Sequence, residues 1–211
     1  MRRLKRVLGF SIAALVALAA LEPRRAPAAL VLAFGTAPSL PALPTIALNG
    51  RAQVTTAQMS NFSVIAALEG VFEHSPSSGW NLTVSGDTAS GDSPVFAQYC
   101  PNSGGCGKDN FGYVPGGQTL PEGSLTLNTT GASFSTLLGN PASFTCETPC
   151  ALDSTSASKI ATESKATTLA TWTSTGFSPS SLALTTPTTL KTLPASEVYR
   201  LNVVWTLSTG P

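Results

Sequence analysis

Tyr199-Arg200-Leu201-Asn202-Val203-Val204-Trp205-Thr206-Leu207-Ser208 decides the fold class. Tyr199, Leu201, Val203, Trp205 and Leu207 recur at every second position and share one face. Arg200, Asn202, Thr206 and Ser208 take the other face, where Val204 is the one apolar intruder. A strand projects successive side chains to opposite faces, whereas a helix would scatter these five around its axis. The same period of two recurs upstream in Phe62 and Val64, in Trp80, Leu82 and Val84, in Leu125 and Leu127, and in Leu182 and Leu184. Ile46 and Leu48 share a face just before Asn49-Gly50, a strong hairpin signal. Short alternating runs rich in Thr and Val, punctuated by Gly, Pro and Ser, predict an all-β chain. The expected architecture is an antiparallel β-sandwich or partly closed barrel with long loops. Residues 158–166 are the sole helix candidate, and they are short and Thr-interrupted enough to read as a turn.

Composition narrows the function. Only 11% of the 211 residues are charged, against about a quarter in ordinary globular domains. The 12 basic and 11 acidic residues form no basic stripe beyond the N-terminus, which argues against nucleic-acid binding. No heptads of a coiled coil exist. At 42% hydrophobic the chain is also too apolar for charge-driven disorder.

Residues 1–28 read as a secretory signal peptide. Arg2, Arg3, Lys5 and Arg6 form the positive start, and Val7 to Leu21 the apolar stretch. Ala26-Pro27-Ala28 supplies a small-x-small cleavage site. Fifteen apolar residues cover about 23 Å as a helix, short of a hydrocarbon core about 30 Å thick. Cleavage would leave 6 basic and 10 acidic residues, a net charge of −4. No second apolar segment of spanning length follows, so no membrane span is expected after cleavage. Residues 29–44, rich in Ala, Leu and Pro, read as an extended lead-in. Residues 45–211 read as one β domain, and residues 86–122 as a surface-loop excursion within it.

Cys100, Cys106, Cys146 and Cys150 are the only cysteines and allow three pairings. The spacing favours two local bridges, Cys100 to Cys106 and Cys146 to Cys150, each across a turn-forming segment. A four-thiolate zinc site is the alternative, disfavoured by an oxidising exterior.

No catalytic constellation stands out. His74 is the only histidine and cannot anchor a common zinc hydrolase site. Ser156 and Lys159 match Ser-x-x-Lys, yet Lys191-Thr192 is followed by Leu193 rather than the Gly that the partner motif needs. Glu69 with Glu73, and Asp87 with Asp92, lie in no recognisable hydrolase or calcium frame. The expectation is a protein that is not an enzyme and holds no cofactor or metal.

Two stretches are more specific. Gly79-Trp80-Asn81-Leu82-Thr83-Val84 lies early in the domain, and Tyr199 to Trp205-Thr206-Leu207 closes the chain. Together they resemble the two signatures of the WxL domain family of exported bacterial surface proteins. Leu48-Asn49-Gly50-Arg51-Ala52-Gln53 with Phe62-Ser63-Val64, and Leu193-Pro194-Ala195-Ser196 before Tyr199, extend the resemblance over most of residues 45–211. Two departures stand beside it. Residues 69–76 lack the family's Asp-x-Arg-Gly-like turn, and the four cysteines are outside its pattern. The resemblance implies a secreted protein held non-covalently at the cell wall, with peptidoglycan or another cell-envelope glycan as partner. It also implies that Trp80, Leu82, Trp205 and Leu207 mark the binding domain. A surface subunit that binds another protein by loops or strand addition is the second expectation.

An indole can stack on a sugar or fill a core. The apolar company of Trp80 and Trp205 on their faces favours the core. Trp172, in Ala170-Thr171-Trp172-Thr173, lacks such a face and is the candidate exposed aromatic.

Overall fold

The C-terminal alternation is realised as two strands that serve different sheets. β14 (Val198–Arg200) ends before Leu201, and β15 (Val203–Thr209) resumes after Asn202. Alternation survives the break: Tyr199, Leu201, Val203, Trp205 and Leu207 are half-buried against the core, while Val198, Arg200, Val204, Thr206 and Ser208 are exposed. The computed structural model describes residues 30–68, 79–101, 106, 111–136, 142–146, 148–164, 169–194 and 196–210. For residues 30, 67, 68 and 169–175 it describes the backbone alone.

All pairings are antiparallel, and no helix occurs among the described residues. One sheet runs in the order β1 (Leu30–Thr36), β3 (Ser63–Leu68), β12 (Leu169–Thr175), β8 (Ser133–Thr136). A second runs β15, β4 (Trp80–Gly86), β11 (Ser158–Glu163), β9 (Ser143–Phe144). β1 contacts β15 and β8 contacts β9, so these two sheets meet at both ends, sandwich-fashion. A third sheet runs β10 (Cys150–Ala151), β7 (Leu125–Leu127), β13 (Leu182–Thr186), β2 (Gln53–Ala57). The fourth comprises β14, β5 (Ala97–Cys100) and β6 (Gly112–Tyr113). Among the described residues no sheet closes into a barrel, so the expected all-β class takes its sandwich-like form.

The core explains the alternation. Phe62, Val64, Trp80, Leu82, Val84, Leu125, Leu127, Ile160 and Leu182 are almost wholly removed from water. Each contributes about 1.5–3 kcal/mol by burial. Phe62 meets Phe134 edge-on at 5.8 Å, Trp80 meets Phe134 edge-on at 6.1 Å, and Phe134 stacks on Phe144 at 4.3 Å. Edge and offset ring contacts of this kind add to area burial.

Four expectations change. Residues 29–44 are more than a lead-in, because Leu30–Thr36 pairs with β3 as an edge strand. Residues 158–166 begin with a strand, Ser158–Glu163, because neighbours β4 and β9 claim its backbone on both sides. Asn49-Gly50 turns the chain, with Gly50 at φ 70° and the Arg51 N–H donating to Asn49 Oδ1 at 3.0 Å, but Ile46 and Leu48 precede no ladder there. The excursion at residues 86–122 supplies β5 and β6 and buries Phe96, Tyr99, Cys100 and Leu120. These described residues pair with β14 and pack against the core.

Candidate functional site

Trp80 and Trp205 do not form an open aromatic surface. Trp80 is fully buried and Trp205 is half-buried against the core. Their strands are direct neighbours: Leu207 pairs with Leu82, Trp205 with Val84 and Thr209 with Trp80. Asn81, the middle residue of the first triplet, faces the other way. It donates from Nδ2 to the Gly210 carbonyl and accepts from Thr162 Oγ1 at 2.9 Å. The two triplets thus fasten β15, an edge strand, to its interior neighbour β4. Trp172 pairs through its backbone with Val64 and Thr136, and its side chain lies outside the described residues. Residues 1–28, expected to be a signal peptide, and Glu69, Glu73 and His74 also lie outside them.

The cysteines form the two local pairs that their spacing favours. Cys100 and Cys106 have α-carbons 6.0 Å apart, and Cys146 and Cys150 5.5 Å. The four sulfurs are thus bonded in two pairs, and none is a free thiol. Asp87 and Asp92 serve a turn. The Ala89 N–H donates to Asp87 Oδ1 at 2.8 Å, the Asp92 N–H to the Ala89 carbonyl at 3.0 Å, and Asn202 Nδ2 to the Asp92 carboxylate. Ser156 and Lys159 are both exposed.

The aromatic surface lies on the fourth sheet, in the stretch expected to be a loop. In the register of β5, Tyr99 stands opposite Val198 on one side and Tyr113 on the other. Directly paired residues share a face, so Val198, Tyr99 and Tyr113 line one side of this sheet. Tyr99 meets Tyr113 edge-on at 5.1 Å and Phe111 edge-on at 6.0 Å. The Arg200 guanidinium sits 4.4 Å from the centre of the Tyr99 ring, a cation–π contact, and its Nε donates to Asn202 Oδ1 at 3.2 Å. Tyr99 is thereby buried beneath its neighbours, whereas Phe111 is 63% exposed and Val198 45% exposed. Among the described residues the Tyr113 hydroxyl is buried without a hydrogen-bond partner. Burial pushes that phenol above its ordinary value of 10.0, with Arg200 pulling the other way. Cys100 ends β5, so the bridge to Cys106 pins this face. Sequence reading overlooked it because Gly, Ser and Pro hid the signal, although Phe96, Tyr99, Phe111 and Tyr113 crowd a stretch with few other apolar residues.

A groove of about 720 Å³ borders β14. Its floor includes Phe96, Leu120, Leu125, Leu182 and Leu184, and its walls come from residues 40–46, 48, 190–193 and 197–201. The Tyr199 hydroxyl donates to the Lys191 carbonyl at 3.1 Å and ties one wall to β14.

Two carboxyl groups are buried elsewhere. Glu163, opposite Trp80 in the register of β11, has no hydrogen-bond partner on either oxygen among the described residues, and burial pushes it up to about 7. Asp153 accepts the Leu125 N–H at 3.0 Å, yet burial outweighs that bond and raises it to about 6.

Comparison with protein-family models, curated proteins and solved structures returns no match for this chain.

Proposed function

We propose that this chain is an exported, non-enzymatic bacterial surface protein whose β-sandwich associates non-covalently with the cell wall, peptidoglycan being its glycan partner. The resemblance of the two Trp-x-Leu strands to the WxL family supports the cell-wall assignment. The observation that carries the contact surface is Phe111, the exposed ring of an aromatic and cationic face. An exposed ring braced edge-on by Tyr99 can stack on the apolar face of a pyranose without first ordering itself. The Arg200 guanidinium, which lies over the same Tyr99 ring, supplies donors for hydroxyl and carboxylate groups. The buried Trp80 has no face left for a sugar.

Sedimentation of the chain with purified peptidoglycan tests this reading. Retention should fall about tenfold in Phe111→Ala, as expected for the loss of a contact of roughly 1.4 kcal/mol, with the melting temperature unchanged. No retention above a charge-matched control protein would sink it.

The second reading, a protein partner added by strand pairing, has one observation in its favour. β2 is the outer strand of the third sheet and carries Val54, 65% exposed. Val54→Lys would abolish capture of such a partner while leaving peptidoglycan retention intact.

A further inference from the structure

We propose that the groove beside β14 binds a free single-chain anionic amphiphile, a fatty acid, with the alkyl chain on its leucine floor and the carboxylate at Lys191. The argument begins from what the groove offers a ligand. Leu125 belongs to β7, and Leu182 and Leu184 to β13, both interior strands of their sheet. Their backbone groups are committed to neighbours on both sides. The facing wall contains Pro41 and Pro44, which have no N–H to give. A peptide strand laid on this floor would therefore find no ladder to extend there, and only the outer edge of β14 at one wall could pair with it. A polysaccharide would meet the same aliphatic floor with few groups to bond its hydroxyls. An alkyl chain asks for no hydrogen bonds and gains by leaving water.

Charge places the other end. Three ionic residues line the groove, Lys191, Glu197 and Arg200. The Glu197 carboxylate accepts from Gln98 Nε2, and the Arg200 guanidinium is turned to Tyr99 and Asn202. Lys191, exposed at the lip, has no ionic partner among the described residues. Its backbone is held by Tyr199, so the ammonium extends from a fixed base. The volume of about 720 Å³ lies within the range of roughly 300–1,000 Å³ typical of small-molecule sites. Prolines in the wall favour a groove formed before the ligand arrives.

Calorimetric titration of the whole chain with octanoate, decanoate and dodecanoate, each below its micellar range, tests the proposal. One saturable site per chain is expected, with affinity rising about fourfold per methylene. Lys191→Glu should weaken dodecanoate severalfold and leave dodecanol unchanged. Leu43→Trp, which fills the groove from its wall, should abolish uptake without changing retention on peptidoglycan. If that variant fails to fold, Leu48→Glu at the exposed lip makes the same test. Absence of saturable uptake would overturn the proposal, as would equal affinity for dodecyltrimethylammonium. Sedimentation showing a dimer that Leu43→Trp dissociates, with no fatty-acid uptake, would instead assign the groove to a second copy of the chain.

Discussion

Leu207 stands directly opposite Leu82 across β15 and β4, so two triplets far apart in the sequence form one cross-strand unit. The register places Trp205 against Val84 and Thr209 against Trp80. The tryptophans are consequently unequal. Trp80, on an interior strand, is enclosed and packed edge-on to Phe134, while Trp205, on the outermost strand of that sheet, keeps part of its surface in water.

Truncation should expose that inequality. Trp80→Ala is expected to cost about 3–5 kcal/mol, the range for deleting an enclosed aromatic. Trp205→Ala should cost clearly less, about 1–3 kcal/mol, because its surroundings are already partly hydrated. Urea unfolding followed by fluorescence measures both. A greater loss at Trp205 would show that the apposition of the strands has been misjudged.

The buried carboxyls predict a fall in stability as pH rises. Burial raises Glu163 from an ordinary 4.5 to about 7, and Asp153 from 3.8 to about 6. Between about pH 4 and 7 the folded chain keeps protons that the unfolded chain has released. Stability is therefore fully present below the unfolded values and is lost as pH climbs through the folded ones. Glu163→Gln, which removes the ionisable proton, should unfold at a higher urea concentration than the parent at pH 8 and at nearly the same concentration at pH 4. Parallel pH profiles for the two proteins would refute the assignment.

The disulfides should act locally and modestly. Each closes a short loop, with sequence separations of 6 and 4. Loops of that length constrain the unfolded chain by about 2 kcal/mol. Replacing Cys146 and Cys150 together by Ala should lower the unfolding free energy by about that amount, plus the packing lost at the fully buried Cys146. Replacing Cys100 and Cys106 should loosen the aromatic face first, seen as faster amide exchange at Tyr99 and Tyr113 than at Leu82.

The strands that were legible are those whose inward residues alternate over several positions, such as Trp80 to Val84 and Val203 to Leu207. Period two survives in any register, so the faces could be read without knowing the partners. The division of the last run between two sheets was not legible, because Leu201 and Asn202 continue the alternation through the break. Residues 158–166 read as a turn in the sequence because the strand at their start breaks alternation: Ile160 and Ala161 are both buried beside a register shift between Lys159 and Ala161. A bulge puts two consecutive side chains where the pattern expects one. The aromatic face was hidden for a different reason. The crowding of Phe96, Tyr99, Phe111 and Tyr113 among Gly, Ser and Pro carries no alternation, and Arg200 joins them only through pairing with a strand distant in the sequence.

The glycine ahead of Trp80 supplies the sharpest test of the strand arrangement. A β-carbon on Gly79 would lie 1.6 Å from the carbonyl oxygen of Glu163 and 2.7 Å from the carbonyl carbon of Ser164. Both obstacles are backbone, so no side-chain rotation relieves them. The Gly79 carbonyl also accepts the Gly210 N–H at 2.7 Å, which ties this point to the end of β15. Gly79→Ala must push β4 away from the end of β11 and should cost about 3 kcal/mol or more. Gly50 makes the contrast: its φ of +70° strains an alanine, but nothing lies within 4 Å of the added carbon. Gly50→Ala should therefore cost only about 1 kcal/mol. Urea unfolding of the two variants side by side gives the comparison. Equal losses would mean that the close approach of Gly79 to Glu163 does not constrain the fold.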